Sequence, residues 1–337
     1  MAKLAAPCGA LPSPRELMST HDRRCGRAIA CAAALALCTT FSLNVASALP
    51  LGPNFASLSI QLAAATYSLC DGARATLAPA EPSPASLHPQ QVHWTVGEAA
   101  TIEQIASLWG LRSGDLIALN PTFSYGDHVP AHTRLLVYAF DPDKPSRSIG
   151  RPQSGRLLNA VPFPEGEGWR LRDNRRLYWA TAHTIHALTT AFTHFNQHCP
   201  GSQDIRVGNL SKRNGGRAKP HRSHTSGRDI DLGYFAPDES IMHYDWVKVS
   251  TKHFDAERTW CLMHAMLDTG HVEAIYTDRR LLPAIKKAAA AHLSPEELDQ
   301  IFPQRNKSHA LIRHWPGHSQ HMHVRFTCPP GDHRCRR

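Results

Sequence analysis

Two stretches of the chain concentrate side chains that can bind a metal or move a proton. The first, HRSHTSGRDIDLGYF (221–235), sets His221 and His224 three apart. It then turns at Gly227 and enters an apolar run with Asp229 and Asp231 two apart. The second, GHSQHMHVRF (317–326), adds His318, His321 and His323. Seventeen of the 22 histidines lie between 183 and 333, so their number alone carries little and their spacing decides. Successive side chains of a strand alternate between its faces. DIDLGY, as a strand, therefore shows Asp229 and Asp231 on one side and Ile230 and Leu232 on the other. HMHVRF likewise shows His321 and His323 on one side, with Met322 and Val324 opposite. If the two strands are neighbours, His224 from its loop, Asp231 and His323 converge on one face. Two imidazoles and one carboxylate form a set that zinc accepts with a fourth position open to water, the mark of a catalytic rather than a structural site. Such an ion lowers the pKa of its water and polarises a carbonyl. The expectation is one zinc ion per chain, held by His224, Asp231 and His323.

Hydrolysis also needs a proton carrier and a group to hold the oxyanion. The chain has no His-Glu-x-x-His. Neutral imidazoles titrate near working pH and serve either role. The candidates are His321, two residues before a ligand, His318, three before that, and His221, one loop turn before His224. Ser223 and Asp229 are placed to orient these groups. Arg222, Arg228 and Arg325 could bind a substrate carboxylate or form salt bridges. The histidines of RRLYWATAHTIHALTTAFTHFNQHC (175–199), at 183, 186, 194 and 198, belong to a helix and read as surface or packing residues.

The elements that must position these groups follow from periodicity and punctuation. A strand over 92–96 leads to a helix with Ile102, Ile105, Ala106, Leu108 and Trp109, closed by Gly110. A second helix begins near Ser113 as cap and breaks at Asn120-Pro121, and TRLLVY (133–138) forms a closing strand. Residues 175–199 recur at the helical period through Leu177, Ala180, Thr184, Leu188 and Phe192. DIRVGNLS (204–211) and VEAIYTD (272–278) read as strands, and RTWCLMHAMLDTG (258–270) as a helix. LLPAIKKAAAAHL is a helix, followed by SPEELDQIF with a Ser294–Glu297 capping box. Strands mixed with helices, without strict alternation, imply an α+β fold.

The N-terminus carries export features. MSTHDRRCGR (18–27) is basic, AIACAAALALCTTFSL (28–43) is apolar, and VASA (45–48) ends in small residues. Residues 1–48 are therefore expected to be a signal peptide, with Met18 an alternative start; an N-terminal anchor or lipidation at Cys31 or Cys38 are the other readings. Removal of that segment leaves 32 basic against 26 acidic residues, a balance of +6. A basic exported protein suits a polyanionic partner such as a cell wall. No basic-aromatic stripe points to nucleic acid, and no later segment points to stable membrane insertion. Five cysteines would remain. Export permits disulfides, and Cys199–Cys261 and Cys328–Cys335 are the expected pairs, with Cys70 left over. Residues 49–91 hold an unassigned segment and a Pro/Ala-rich linker, and 141–150 a second linker.

Two resemblances sharpen this picture. The strand–helix–helix–strand segment 92–140, through VGEAATIEQIASLWGL and DLIALNP, resembles a LysM module, which implies binding to N-acetylglucosamine-containing glycans. It departs from that pattern at VPAHTRLLV. GGRAKPHRSHTSGRDIDLGY with RHWPGHSQHMHVRFTCP resembles the penicillin-insensitive murein endopeptidases. These stand within the zinc peptidases that include lysostaphin-type enzymes, D-Ala-D-Ala dipeptidases and hedgehog domains. The likeness runs from about Ser148 to the end, through SGRLLNAVPFPEGEGW, VGNLS and FDAERTW, and gives a domain over 151–337. It implies a mainly antiparallel sheet flanked by helices, His224, Asp231 and His323 as zinc ligands, and His321 as a catalytic histidine. His318 stands where many relatives of the wider group carry Glu, and His221 matches a further active-site histidine. The activity implied is zinc-dependent cleavage of D-alanyl to diaminopimelyl cross-links in peptidoglycan. A zinc D,D-carboxypeptidase or dipeptidase, and a non-catalytic wall-binding protein, are the alternatives.

Overall fold

A computed structural model describes residues 87–172, 174–199, 203–237, 251–303 and 310–337, all within one compact unit. The expected signal segment, residues 49–71 with Cys70, and the linker up to residue 86 lie outside the described residues.

The N-terminal part is built on β1 (Gln91–Thr95), paired antiparallel with β4 (Arg134–Ala139). Between them run β2 (Ala100–Thr101), α1 (Ile102–Trp109), α2 (Ser113–Leu119) and β3 (His128–Val129), with β2 paired to β3. α1 opens with a capping box between Thr101 and Gln104. It ends at Gly110, whose φ of 66° is left-handed and free of penalty only without a Cβ. The expected cap Ser113 is instead the first helical residue of α2, after Arg112. The two-residue strands β2 and β3 were not expected, because so short a run shows no period.

Residues 141–150, expected as a linker, contain β5 (Arg147–Ile149), which pairs with β6 (Arg156–Leu158). The Ser148 N–H donates to Asp332 at 2.6 Å and the Gly150 N–H to the Arg334 carbonyl at 2.9 Å, so this segment is tied to the C-terminal tail. Cys328–Cys335 staples that tail, and Cys199–Cys261 forms the second expected bridge.

β7 (Val161–Pro162) and β8 (Trp169–Leu171) lead to a 3-10 turn at Arg175–Leu177 and to β9 (Trp179–Ala180), which pairs with β7. Only then does α3 (Ala182–His198) begin, capped by Thr181. The expected helix from 175 thus starts late. Leu177 and Ala180 fit the helical period, yet Tyr178 and Trp179 are buried as non-helical chain, and the Tyr178 hydroxyl donates to the Val207 carbonyl at 2.8 Å.

The remaining elements are β10 (Ile205–Val207), β11 (Asp229–Gly233), α4 (Ala256–Asp268), β12 (Val272–Thr277), α5 (Leu282–Ala289), α6 (Pro295–Ile301), β13 (Ile312–His314) and β14 (His321–Phe326). They build a six-stranded sheet in the order β13-β12-β14-β11-β10-β8. Its inner pairs are antiparallel and its two outer pairs parallel. Each parallel pair is joined through helical segments, as parallel neighbours require. The fold is α+β, as expected, with mixed edges. Ile230, Leu232, Met322 and Val324 share a core with Leu188, Phe192, Leu262 and Met266 of α3 and α4. Asp229, Asp231, His321 and His323 therefore occupy the other face. Among the described residues no helix is long and apolar enough to cross a membrane.

The small N-terminal part does not hang free. Leu157, Ala160 and Trp179 complete its core. Trp109 meets Trp94 and Trp179 edge to face, each at 6.1 Å, and the Trp179 indole N–H donates to the Trp109 carbonyl at 2.9 Å.

The turn that delivers His224 to the sheet depends on Gly227, whose φ is 75°. A Cβ there would meet Leu157 Cδ1 at 2.7 Å and the Thr181 backbone nitrogen at 3.0 Å. Gly227→Ala is expected to cost about 1–3 kcal/mol, the scale of a strained left-handed residue. Thermal unfolding would register it as a fall of several degrees; an unchanged midpoint would mean that the turn relaxes freely.

Candidate metal centre

β11 and β14 pair so that Asp231 lies opposite His323, Asp229 opposite Arg325 and Gly233 opposite His321. His224 arrives from the preceding loop with a left-handed φ of 65°, an uncommon conformation for a residue with a Cβ. Two bonds fix it there. Its backbone N–H donates to Asp229 Oδ2 at 2.9 Å, and its ring Nδ1–H donates to the Leu210 carbonyl at 2.8 Å. That second bond settles the tautomer and leaves the Nε2 lone pair facing the sheet.

Three donor atoms then converge. His224 Nε2 lies 3.2 Å from Asp231 Oδ1, His323 Nδ1 lies 3.1 Å from the same oxygen, and the two nitrogens are 3.1 Å apart. Donors around a tetrahedral zinc at its usual bond lengths stand about 3.3–3.4 Å apart, so a displacement of a few tenths of an ångström admits the ion. His323 Nε2 points the other way, 3.2 Å from Asp229 Oδ1 but without an aligned hydrogen bond.

His221 is a competing donor, since its ring, His224 and Asp231 have ligand atoms within 4.8 Å of one another. Its Nδ1 is 3.6 Å from Asp231 Oδ2, while its Nε2 meets the Asn209 amide nitrogen at 2.7 Å. An amide that donates to Nε2 leaves the ring proton on Nδ1, facing the carboxylate. In this arrangement His221 turns its Nδ1 towards Asp231 at 3.6 Å without a hydrogen bond, and His323 completes the tighter triad.

His321 Nε2 stands 3.6 Å from Asp231 Oδ1, and its ring lies 5.2 Å from that of His318. The His318 Nδ1–H donates to the Trp315 carbonyl at 2.9 Å. All five histidine candidates thus gather around the Asp231 carboxylate. Arg228, fully buried, donates to Glu273 and to the carbonyls of Phe326 and Arg336, and Arg325 donates to Asp229 at 2.8 Å. Both are structural salt-bridge residues; Arg222 is exposed. His183, packed against His271, and the adjoining rings of His194 and His198 stand apart from the site, as expected.

Sequence reasoning missed Asn209, the Leu210 carbonyl and Tyr276. The Tyr276 ring lies 5.6 Å from His323 and 6.3 Å from His318, and its hydroxyl accepts from Arg313 at 3.0 Å and Arg325 at 3.3 Å. Its signal was the strand alternation over 272–278, which becomes informative only once β12 is known to border β14.

Residues 148–337 match the sequence profile described as penicillin-insensitive murein endopeptidase. The chain belongs to this family. Among similar proteins of that name, the one from Haemophilus influenzae is 28% identical over 210 residues, which is 57% of this chain and 68% of the relative. That from Pectobacterium atrosepticum is 26% identical over 208 residues, covering 56% and 67%. That from Yersinia enterocolitica is 22% identical over 211 residues, covering 56% and 69%. The match begins inside β5, so the small N-terminal part lies outside the portion that the chain shares with this family.

The electrostatics suit a cation. Burial would raise the Asp231 carboxyl, but His224, His323 and His321 outweigh it and hold the pKa well below the usual range. Burial opposes ionisation of Asp229 too, and His323, Arg325 and His224 overcome it. Burial would lower His323, yet the two carboxylates push it up to about 9. Burial lowers His321 to about 4 against the pull of Asp231. Burial also lowers His318, and it lowers His221 with help from His224. Near neutral pH, without a metal, His323 carries the proton that balances this site and the outer histidines are neutral.

A metal at Nδ1 must expel the His323 proton. Below pH 9 the apparent zinc affinity is therefore expected to rise with pH, by up to about tenfold per unit for one released proton. Calorimetric titration in buffers of different ionisation enthalpy measures that release; zinc uptake without proton release between pH 6 and 8 would contradict the assignment. Without metal the sign reverses. A raised folded pKa stabilises fully below the unfolded value near 6.5 and is lost as pH climbs towards 9. Asp229→Asn, which removes the charge holding His224, His323 and Arg325, should weaken zinc binding about 10–100-fold by competition with a chelating dye. Unchanged affinity would show that Asp229 does not position the ligands.

Proposed function

We propose that this chain is an exported zinc metallopeptidase that hydrolyses the D-alanyl to diaminopimelyl cross-links of bacterial peptidoglycan. The observation that carries the reading is the convergence of His224 Nε2, Asp231 Oδ1 and His323 Nδ1 on one point, in a chain of the murein endopeptidase family. Those three residues would hold one ion. Two imidazoles and a carboxylate, with no cysteine among the convergent groups, fit zinc with a position left open. Zinc there supplies a Lewis acid that polarises the scissile carbonyl and makes water nucleophilic near neutral pH.

The chain's own groups do the rest. His321 and His318, both held neutral, stand on the open side of Asp231. One accepts the proton of the attacking water and delivers it to the leaving amine; the other donates an N–H to the developing oxyanion. His221, held by Asn209, turns its Nδ1 towards Asp231 and walls that side of the carboxylate. Asp229 holds His224 through its backbone and Arg325 through its side chain. Residues 1–48 serve as the export signal, and 92–140 act as a LysM-like module that binds the glycan strand. The order of strands and helices over 91–139 supports that last assignment.

Purified cross-linked muropeptide dimers test the reading. The expected result is zinc-dependent conversion to monomers, followed by mass, abolished by chelator. His323→Ala should lower the rate by about three orders of magnitude or more, and His321→Ala by about 10²–10⁴. Dimers left intact by folded, zinc-loaded protein would sink the endopeptidase. Release of terminal D-alanine from monomers alone would point to a carboxypeptidase.

A further inference from the structure

A cleft of about 720 Å³ opens between the end of α1 and the segment that precedes His221, and the catalytic reading leaves it unused. Arg176, Lys212, Arg213, Arg217 and Lys219 line it, and among the described residues no carboxylate does. Arg213 pairs with Asp115 at 2.9 Å, and Asp115 already serves Arg112. Arg176 is held by the Ser107 carbonyl and hydroxyl, and Lys212 by the Arg217 carbonyl, all neutral acceptors. Among the described residues no acidic side chain pairs with Arg217 or Lys219, and both are exposed. The cleft therefore carries an uncompensated positive field.

Its wall is rigid. Gly215 has a left-handed φ of 66°, and a Cβ there would meet the Thr225 carbonyl at 2.3 Å and the Leu157 nitrogen at 2.4 Å, so the segment lies flush on its neighbours. The Gly216 N–H donates to the Thr225 carbonyl at 2.9 Å. The wall also runs into the metal centre. The His221 N–H donates to the Ala218 carbonyl at 2.8 Å, closing one turn that carries Lys219 into the cleft and the His221 ring to Asp231. Two residues span at most about 7 Å, so the Lys219 backbone lies within that reach of the His221 backbone, whose ring turns towards Asp231.

We propose that this cleft seats the carboxylate-bearing stem peptide of the substrate, with Arg217 and Lys219 gripping its free carboxylates while the scissile bond lies beside Asp231; this rests on the peptidoglycan reading above. Arginine forks match carboxylates in two-point contact. A neutral glycan offers such cations nothing. A long polyanion needs an extended track, whereas this cleft has the volume of a pocket for a short peptide.

Binding of an uncross-linked stem tetrapeptide to the full zinc-loaded chain tests the proposal by calorimetry, with free and with amidated carboxylates. The free-carboxylate peptide is expected to bind about tenfold more tightly at low salt. That preference should shrink at high salt and vanish in the double variant Arg217→Gln, Lys219→Gln, whose melting temperature should match that of the parent. Equal binding of both peptides by the parent, or a preference that survives in the variant, overturns the proposal. So does tight binding of polyphosphate that the peptide cannot displace, which would make the cleft a polyanion site. Binding needs no cleavage, so a chain that prefers the acidic peptide yet cuts no dimer fails the functional reading alone. One that cuts dimers with no such preference fails the cleft alone.

Discussion

Asp231 sits directly across the sheet from His323, and everything around the site depends on that register. A slip of one residue between β11 and β14 would turn each of these side chains to the helical face and bring Ile230, Leu232, Met322 and Val324 out of the core. The apolar residues therefore enforce the catalytic geometry from behind. Packing of Ile230 and Val324, both fully buried, against α3 and α4 selects the one pairing that also puts a carboxylate beside an imidazole.

That pairing creates a debt in charge. A buried carboxylate is tolerated only when a cation or several donors stand against it. Asp231 has imidazoles on every open side and Asp229 has Arg325, so two acids lie next to each other in the interior with one fixed guanidinium between them and the sheet edge. The proton on His323 closes the balance when nothing else does. Tyr276 adds a polar rim by joining Arg313 and Arg325 across the face of its ring. The same negative charge that would destabilise a bare core suits the place to a cation.

Much of the site was legible because its residues fall into two short runs whose alternation can be read without a structure. DIDLGY and HMHVRF assign their own faces, and their apolar halves announce that both are half-buried strands. The loop residue His224 was legible through its histidine and the nearby glycine, though not its left-handed backbone. Other parts were hidden for physical reasons. Asn209 and the Leu210 carbonyl act through the backbone path of a loop, which no side-chain pattern records. Leu177 and Ala180 fall at helical spacing although Arg175–Leu177 is a 3-10 turn and Trp179–Ala180 pairs with β7, so α3 starts later than the period suggests. β5 lies in a stretch that reads as linker, because three residues amid Pro and Gly have too little period to betray a strand. Parallel pairing at the sheet edges was invisible, since it depends on where the helices return the chain.

The tryptophan contact between the small N-terminal part and the rest has a mechanical consequence. Trp109, Trp94 and Trp179 belong to one packed cluster, and Arg176 reaches across to the end of α1. A module on a flexible tether raises the local concentration of its partner over a range set by linker length. Here no slack is left to set such a range. Whatever surface the module holds is held at a constant offset and angle from Asp231. Under the reading proposed above the molecule would work as a gauge, with the bond it meets chosen by the spacing of the lattice it stands on.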